Sequence, residues 1–126
     1  MLRACAELLK PGGRLAFYTI HIPAGLPPDV YERAKQAGPR AAGTPEDHQS
    51  MLRSAGFGAV REIDATVQYL ATLRALFASR QRHARALRRE AGAEELARRL
   101  KENRDAAAAI EAGLLHRSLF VARRPR

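Results

Sequence analysis

The sequence predicts an α/β domain whose sheet extends beyond this chain. Two observations carry that expectation. First, a helical face over residues 1–10 is broken by Pro11-Gly12-Gly13 and followed by Arg14–Ile22, an almost wholly apolar segment. A strand that is apolar on both faces belongs inside a sheet covered on both sides. Second, helical and strand patterns alternate through the rest of the chain, in the order α–β–long connection–α–β–α–α–β. The central strand begins only fourteen residues into the sequence. Its N-terminal neighbours are therefore expected elsewhere, and the chain reads as the C-terminal part of a larger α/β domain.

Each element has a local reason. Leu2, Cys5, Ala6 and Leu9 fall at helical spacing and make one apolar face. Cys5 lies on that face and is expected to pack as a small hydrophobe, with no neighbouring His to activate its thiol. Pro11 cannot continue the helix, and the two glycines suit a tight turn. In the strand, Leu15, Phe17, Thr19 and His21 share one side, while Ala16, Tyr18, Ile20 and Ile22 share the other. The polar members Tyr18, Thr19 and His21 cluster at the C-terminal end, where open α/β sheets bind ligands. They can line a site there or simply satisfy local loop hydrogen bonds.

Residues 23–45 form a long connection rich in Pro and Gly, with a short helix expected over Asp29–Ala37. A connection of this length beside the ligand end of a strand suits a lid or binding loop. Thr44-Pro45-Glu46-Asp47 then has the pattern of a capping box, with Thr44 as the cap. His48, Met51, Leu52 and Ala55 mark the buried side of the helix it opens, and Gly56-Phe57 ends it. Gly58–Thr66 mixes Val60 and Ile63 with Arg61, Glu62 and Asp64, which suits an edge strand. Two long helices are expected next, turning at Glu90-Ala91-Gly92-Ala93 and pairing as an antiparallel hairpin. Arg80 falls within the first apolar stripe, where snorkelling to the edge is expected. Asn103 fills one step of the second stripe, Leu96–Leu114. His116–Ala122 alternates as the last strand before the charged tail Arg123-Arg124-Pro125-Arg126.

Composition narrows the function classes. The chain has 126 residues, 46% apolar and 28% charged, as a globular domain does. It shows no apolar run long enough for a membrane span and no signal-peptide pattern. One cysteine excludes an internal disulfide framework. A cytoplasmic protein is the expectation. The formal net charge is +9. Residues 1–73 hold eight basic and seven acidic side chains, whereas residues 74–126 hold fourteen and six. The basicity is therefore local. It can attract nucleic acid or an acidic protein, or be a solvated arginine-rich surface. Aromatic residues do not interleave with it, as they do on a stacking platform. The four histidines are scattered, so no metal site is expected, and there is no nucleophile elbow or phosphate loop.

Three segments together carry a family resemblance. Leu8-Leu9-Lys10-Pro11-Gly12-Gly13-Arg14-Leu15, running on through Ile20, resembles the helix–turn–strand step late in class I S-adenosylmethionine-dependent methyltransferases. Met51-Leu52-Arg53-Ser54-Ala55-Gly56-Phe57 before a strand resembles their next step. Gly113 through Ala122 resembles their closing strand. The resemblance implies the C-terminal part of a Rossmann-like sheet, with the fifth, sixth and seventh strands. The seventh is inserted antiparallel between the other two. Residues 67–115 would be a two-helix insertion within a partial domain spanning residues 1–126.

The resemblance implies methyl transfer from S-adenosylmethionine to a small-molecule acceptor in the complete enzyme. The family's glycine-rich loop and its ribose-binding acid have no counterpart in this chain. No cofactor-binding residue is therefore assigned, and tight cofactor binding by the chain alone is not expected. On the acceptor side the resemblance points to Tyr18, His21 and Tyr69, with His21 as a base for an acceptor that must lose a proton. The expected partners are an N-terminal half or a second copy meeting the exposed strand edge. The alternative is a non-enzymatic module that contacts nucleic acid or an acidic protein through Arg74, Arg82, Arg85, Arg88 and Arg89.

Overall fold

A computed structural model describes residues 1–39, 43 and 47–126. Its elements are α1 (Leu2–Leu8), β1 (Arg14–His21), α2 (Pro28–Ala37), α3 (His48–Ser54), β2 (Gly58–Asp64), α4 (Thr66–Arg82), α5 (Ala84–Ala91), α6 (Ala93–Glu111) and β3 (His116–Arg123). The three strands form one sheet in the order β1-β3-β2. β3 is antiparallel to both neighbours, so β1 and β2 run parallel with β3 inserted between them. This is the arrangement the resemblance implies for the fifth, seventh and sixth strands.

The turn into β1 explains its glycines. Gly12 has φ +78°, a left-handed conformation that costs glycine little. A Cβ on Gly13 would lie 2.8 Å from the Lys10 carbonyl oxygen, so no side chain fits there. The turn is tied to the end of β3: Gly12 N–H donates to the Arg124 carbonyl at 2.9 Å, and Arg124 N–H donates to the Gly13 carbonyl at 2.8 Å. Along β1 the register is unbroken, from Arg14 opposite Arg123 to His21 opposite His116. The outer edge of β1 pairs with no strand among the described residues.

The sheet has helices on both faces, and side-chain alternation sorts the two cores. On one face Leu15, Phe17, Phe120 and Ala122 meet Leu52 and Phe57, with Leu2, Cys5, Ala6 and Leu9 of the α1 segment around them. Phe17 and Phe120 are register partners, and their rings stack with centroids 5.6 Å apart. Burial of this set stabilises the fold by roughly 25 cal/mol per Å² of apolar surface removed from water. On the other face Ile20 and Ile22 meet Leu73, Ala109, Ile110 and Leu115 from α4, α6 and the segment before β3. Ala16 and Tyr18 also project from this face, yet both stay exposed. The strand expected to be covered on both sides is thus covered on the second side only towards its C-terminal end.

Three further expectations are adjusted. The helix after the long connection starts at His48, with Asp47 as its cap, accepting from Ser50 N–H at 2.8 Å. Thr44 and Pro45, expected to open that helix, lie outside the described residues. The segment read as two long helices contains three, because the chain bends at His83 (φ −101°, ψ 18°). The bend turns Ala84 and Leu87, the half-buried residues of α5, back towards α6. Arg80 does not snorkel away: its guanidinium donates to the side-chain carbonyl of Asn103, which is buried on α6. The polar step in one stripe therefore accepts a hydrogen bond from the charged step in the other.

β2 is an edge strand, as expected. Its register with β3 shifts between Gly58 and Arg61, where Ala59 takes φ 49°. A bulge of this kind twists the edge and discourages further pairing. No helix of the described residues is long and apolar enough to cross a membrane.

Candidate functional site

The C-terminal ends of the parallel strands β1 and β2 lie at the same end of the sheet as the start of β3. There the alternation of side chains divides two polar groups between the two faces.

The first group lies beneath α3. His21 Nε2 is 2.9 Å from Ser118 Oγ, and Ser118 Oγ–H donates to Glu62 Oε2 at 3.1 Å. With Ser118 donating to the carboxylate, His21 donates to the hydroxyl. Ser118 is only 2% exposed, so the chain of hydrogen bonds passes through the sheet's interior to the exposed Glu62. His48 from α3 stacks on Phe120 (centroids 5.3 Å) and lies 6.0 Å from the His21 ring. His116 meets His21 edge-on at 5.9 Å. Burial pushes the His21 and His48 pKa values below the ordinary value. Glu62 opposes that shift for both, while the neighbouring imidazoles reinforce it for His21. Among the described residues, no three His, Cys, Asp or Glu side chains are arranged to hold a metal ion.

The second group lies beneath the start of α4. The Arg117 guanidinium sits 4.3 Å from the Tyr18 ring centroid and 5.1 Å from that of Tyr69. Three elements deliver these residues. Tyr18 comes from β1, whose register sets Ile20 opposite Arg117 on β3. Tyr69 is on the first turn of α4, which is fixed to the Arg117 backbone. Ala65 N–H donates to the Arg117 carbonyl at 2.8 Å, and Arg117 N–H donates to Thr66 Oγ1 at 3.1 Å. Thr66 is held in turn by Asp64, which accepts from the Thr66 backbone N–H at 3.0 Å. Burial pushes the Tyr69 hydroxyl pKa up, and the Arg117 charge opposes that rise.

The three acceptor-side residues expected from the sequence are therefore split. Tyr18 and Tyr69 come together at Arg117. His21 is on the other face of the sheet with its Nε2 engaged by Ser118, because residues 18 and 21 have opposite parity along a strand. Arg117 was missed. The available signal was a basic residue at the start of an otherwise apolar alternating strand, on the same face as Tyr18.

The glycines at positive φ (Gly12, Gly25, Gly56, Gly92, Gly113) are scattered over separate turns and form no single cradle among the described residues. The basic side chains of the helical segment are partly neutralised. Arg74 pairs with Glu111, Arg98 with Glu95 and Glu102, Arg99 with Glu95, and Lys101 with Asp105. Arg82, Arg85, Arg88 and Arg89 are exposed.

No family model and no curated protein matches the chain. Solved structures do match. Phosphoethanolamine N-methyltransferase 2 of Haemonchus contortus, in complex with phosphomonomethylethanolamine and S-adenosylhomocysteine, aligns with a TM-score of 0.80 at 15% identity. The alignment covers 99% of this chain and 29% of that one. A protein of Galdieria sulphuraria described as a candidate sarcosine dimethylglycine methyltransferase aligns with a TM-score of 0.83 at 16% identity, covering 98% of this chain and 46% of that one. A cyclopropane synthase of Mycobacterium tuberculosis aligns with a TM-score of 0.75 at 18% identity, covering 97% of this chain and 48% of that one. The chain has the class I methyltransferase fold over nearly its whole length, and it spans less than half the length of each of these proteins.

Proposed function

We propose that this chain is the acceptor-side portion of an S-adenosylmethionine-dependent methyltransferase that acts on a small molecule. The observation that carries the reading is the antiparallel insertion of β3 between β1 and β2 in a chain of methyltransferase fold, with Tyr18, Arg117 and Tyr69 converging at the ligand end of that sheet. The cofactor would be held by strands that add to the open edge of β1. In this chain Tyr18 and Tyr69 flank the acceptor and exclude water from it, which is the main demand that methyl transfer makes on the acceptor side. His21 is not assigned to acceptor contact; it ties β1 to β3 through Ser118.

The test is transfer of labelled methyl from S-adenosylmethionine by the assembled protein, meaning this chain together with the segment or partner that supplies the cofactor-binding strands. Transfer to a small molecule, lowered by Tyr69→Ala, is expected. Failure of the assembled protein to bind the cofactor would overturn the reading. By calorimetry, this chain alone should show no micromolar affinity for S-adenosylmethionine.

A second reading rests on the exposed Arg82, Arg85, Arg88 and Arg89, together with Arg74, as a contact surface for nucleic acid or an acidic protein. It predicts steeply salt-dependent retention on heparin. Passage through the column at low salt would remove it.

A further inference from the structure

We infer that Arg117 is the specificity-determining residue of the acceptor site and selects a small molecule bearing an anionic group, a carboxylate or a phosphate. The inference rests on the methyltransferase reading for the word acceptor, but the anion site itself stands on this chain's geometry. Arg117 is half-buried, with its guanidinium against two aromatic rings. Among the described residues no carboxylate lies within salt-bridge distance of it, and its guanidinium makes no hydrogen bond. Glu62, Asp64 and Glu111 are committed elsewhere: Glu62 accepts from Ser118, Asp64 accepts from Thr66, and Glu111 pairs with Arg74. Every fully buried side-chain polar atom among the described residues has a partner, so the free donors of Arg117 reach solvent.

The two tyrosines hold this cation without neutralising it. A guanidinium against an aromatic face is attracted to it while its in-plane N–H groups stay free. Those groups form a fork that matches a carboxylate or phosphate in two parallel hydrogen bonds. The arginine is also fixed in place. Its backbone N–H and carbonyl are both bonded to the start of α4, and its side chain lies against Tyr18 and Tyr69. Little side-chain freedom remains to be lost when an anion arrives. Arg74, Arg98 and Arg99 lack this arrangement: Arg98 and Arg99 are neutralised by Glu95 on their own helix, and Arg74 by Glu111. A neutral acceptor would displace water from the Arg117 charge without compensating it, so the same residue selects against it.

The experiment has two arms. In the first, this chain is titrated with acetate and with inorganic phosphate against chloride at matched ionic strength, following the ring resonances of Tyr18 and Tyr69. One charge-assisted bidentate contact gives half-saturation on the order of 10–100 mM. Shifts of both rings that vanish in Arg117→Met, with the remaining spectrum of the variant unchanged, are expected. Equal shifts with chloride, or shifts that survive Arg117→Met, would overturn the inference. If the variant loses the folded spectrum, Arg117→Lys serves instead and should retain binding with at least a few-fold loss; full retention overturns a fork-specific site. In the second arm the assembled protein is given acceptors in pairs, each acid beside its neutral amide or ester. Arg117→Met should lower kcat/KM about 100-fold for the acid and leave the neutral partner within a few-fold. An equal loss for both would make Arg117 structural. Anion binding without any methyl transfer would instead leave the site standing and overturn the methyltransferase reading.

Discussion

The two faces at the ligand end of the sheet are built from the same strands and have opposite electrostatics. Beneath α3, His21, Ser118 and Glu62 satisfy one another, and His48 closes the group by stacking on Phe120. Beneath α4, Arg117 is held by two aromatic rings and meets no counter-charge among the described residues. The first face has the residue types associated with catalysis, but its His21, Ser118 and Glu62 are bonded to one another. The second has a cation with donors to spare. The contrast teaches that titratable residues gathered together are weaker evidence for a site than one polar group left incomplete.

That comparison can be broken most forcefully at Phe120, which is 2% exposed and stacks with both Phe17 and His48. Phe120→Ala is expected to cost about 3–5 kcal/mol in denaturant unfolding. A cost below about 1 kcal/mol would mean that the α3 face is not a packed core. Ser118→Ala comes next. It removes the link between His21 and Glu62 and should cost about 1–2 kcal/mol. The anion titration at Tyr18 and Tyr69 should not change, since the hydroxyl lies on the other face. Coupled loss of anion binding would show that the two faces are one unit. Thr66→Val should cost about 1 kcal/mol and broaden or shift the Tyr69 resonances, because it removes the side-chain tie between the α4 turn and Arg117 and leaves only the Ala65 backbone bond.

The smallest effect is on pH dependence. His21 and His48 have folded pKa values below their ordinary 6.5. The unfolded chain therefore takes up protons first as pH falls, and stability is lost below about pH 6.5 down through the folded values. Thermal melts from pH 7.5 to 5 should fall in Tm, and the double change His21→Gln with His48→Gln should flatten the slope. A slope left unaltered by that pair would place the lost stability elsewhere.

Much of the fold was legible because it follows from local pattern. The Pro11-Gly12-Gly13 break, the alternation in His116–Ala122 and the edge character of β2 each appear in the residues themselves. The bend at His83 was not legible: the apolar stripe continues through it, and the tertiary return of Leu87 towards α6 decides the break. The Arg80–Asn103 bond joins positions far apart in the chain, so each residue alone looked anomalous. At the site, the parity of Tyr18 and His21 was already visible in the strand pattern, and it separates them. Arg117 gave little signal, because an arginine on a strand becomes informative only when its neighbours in space are known to lack a carboxylate.

The most direct measurement of the account sets Arg117→Met beside His21→Ala in the assembled protein, with labelled methyl transfer to an anionic acceptor as the readout. A loss of about 100-fold in kcat/KM is expected for Arg117→Met and a change of no more than a few-fold for His21→Ala. The reverse ranking, with His21 essential and Arg117 dispensable, would move the chemistry to the face beneath α3 and contradict it.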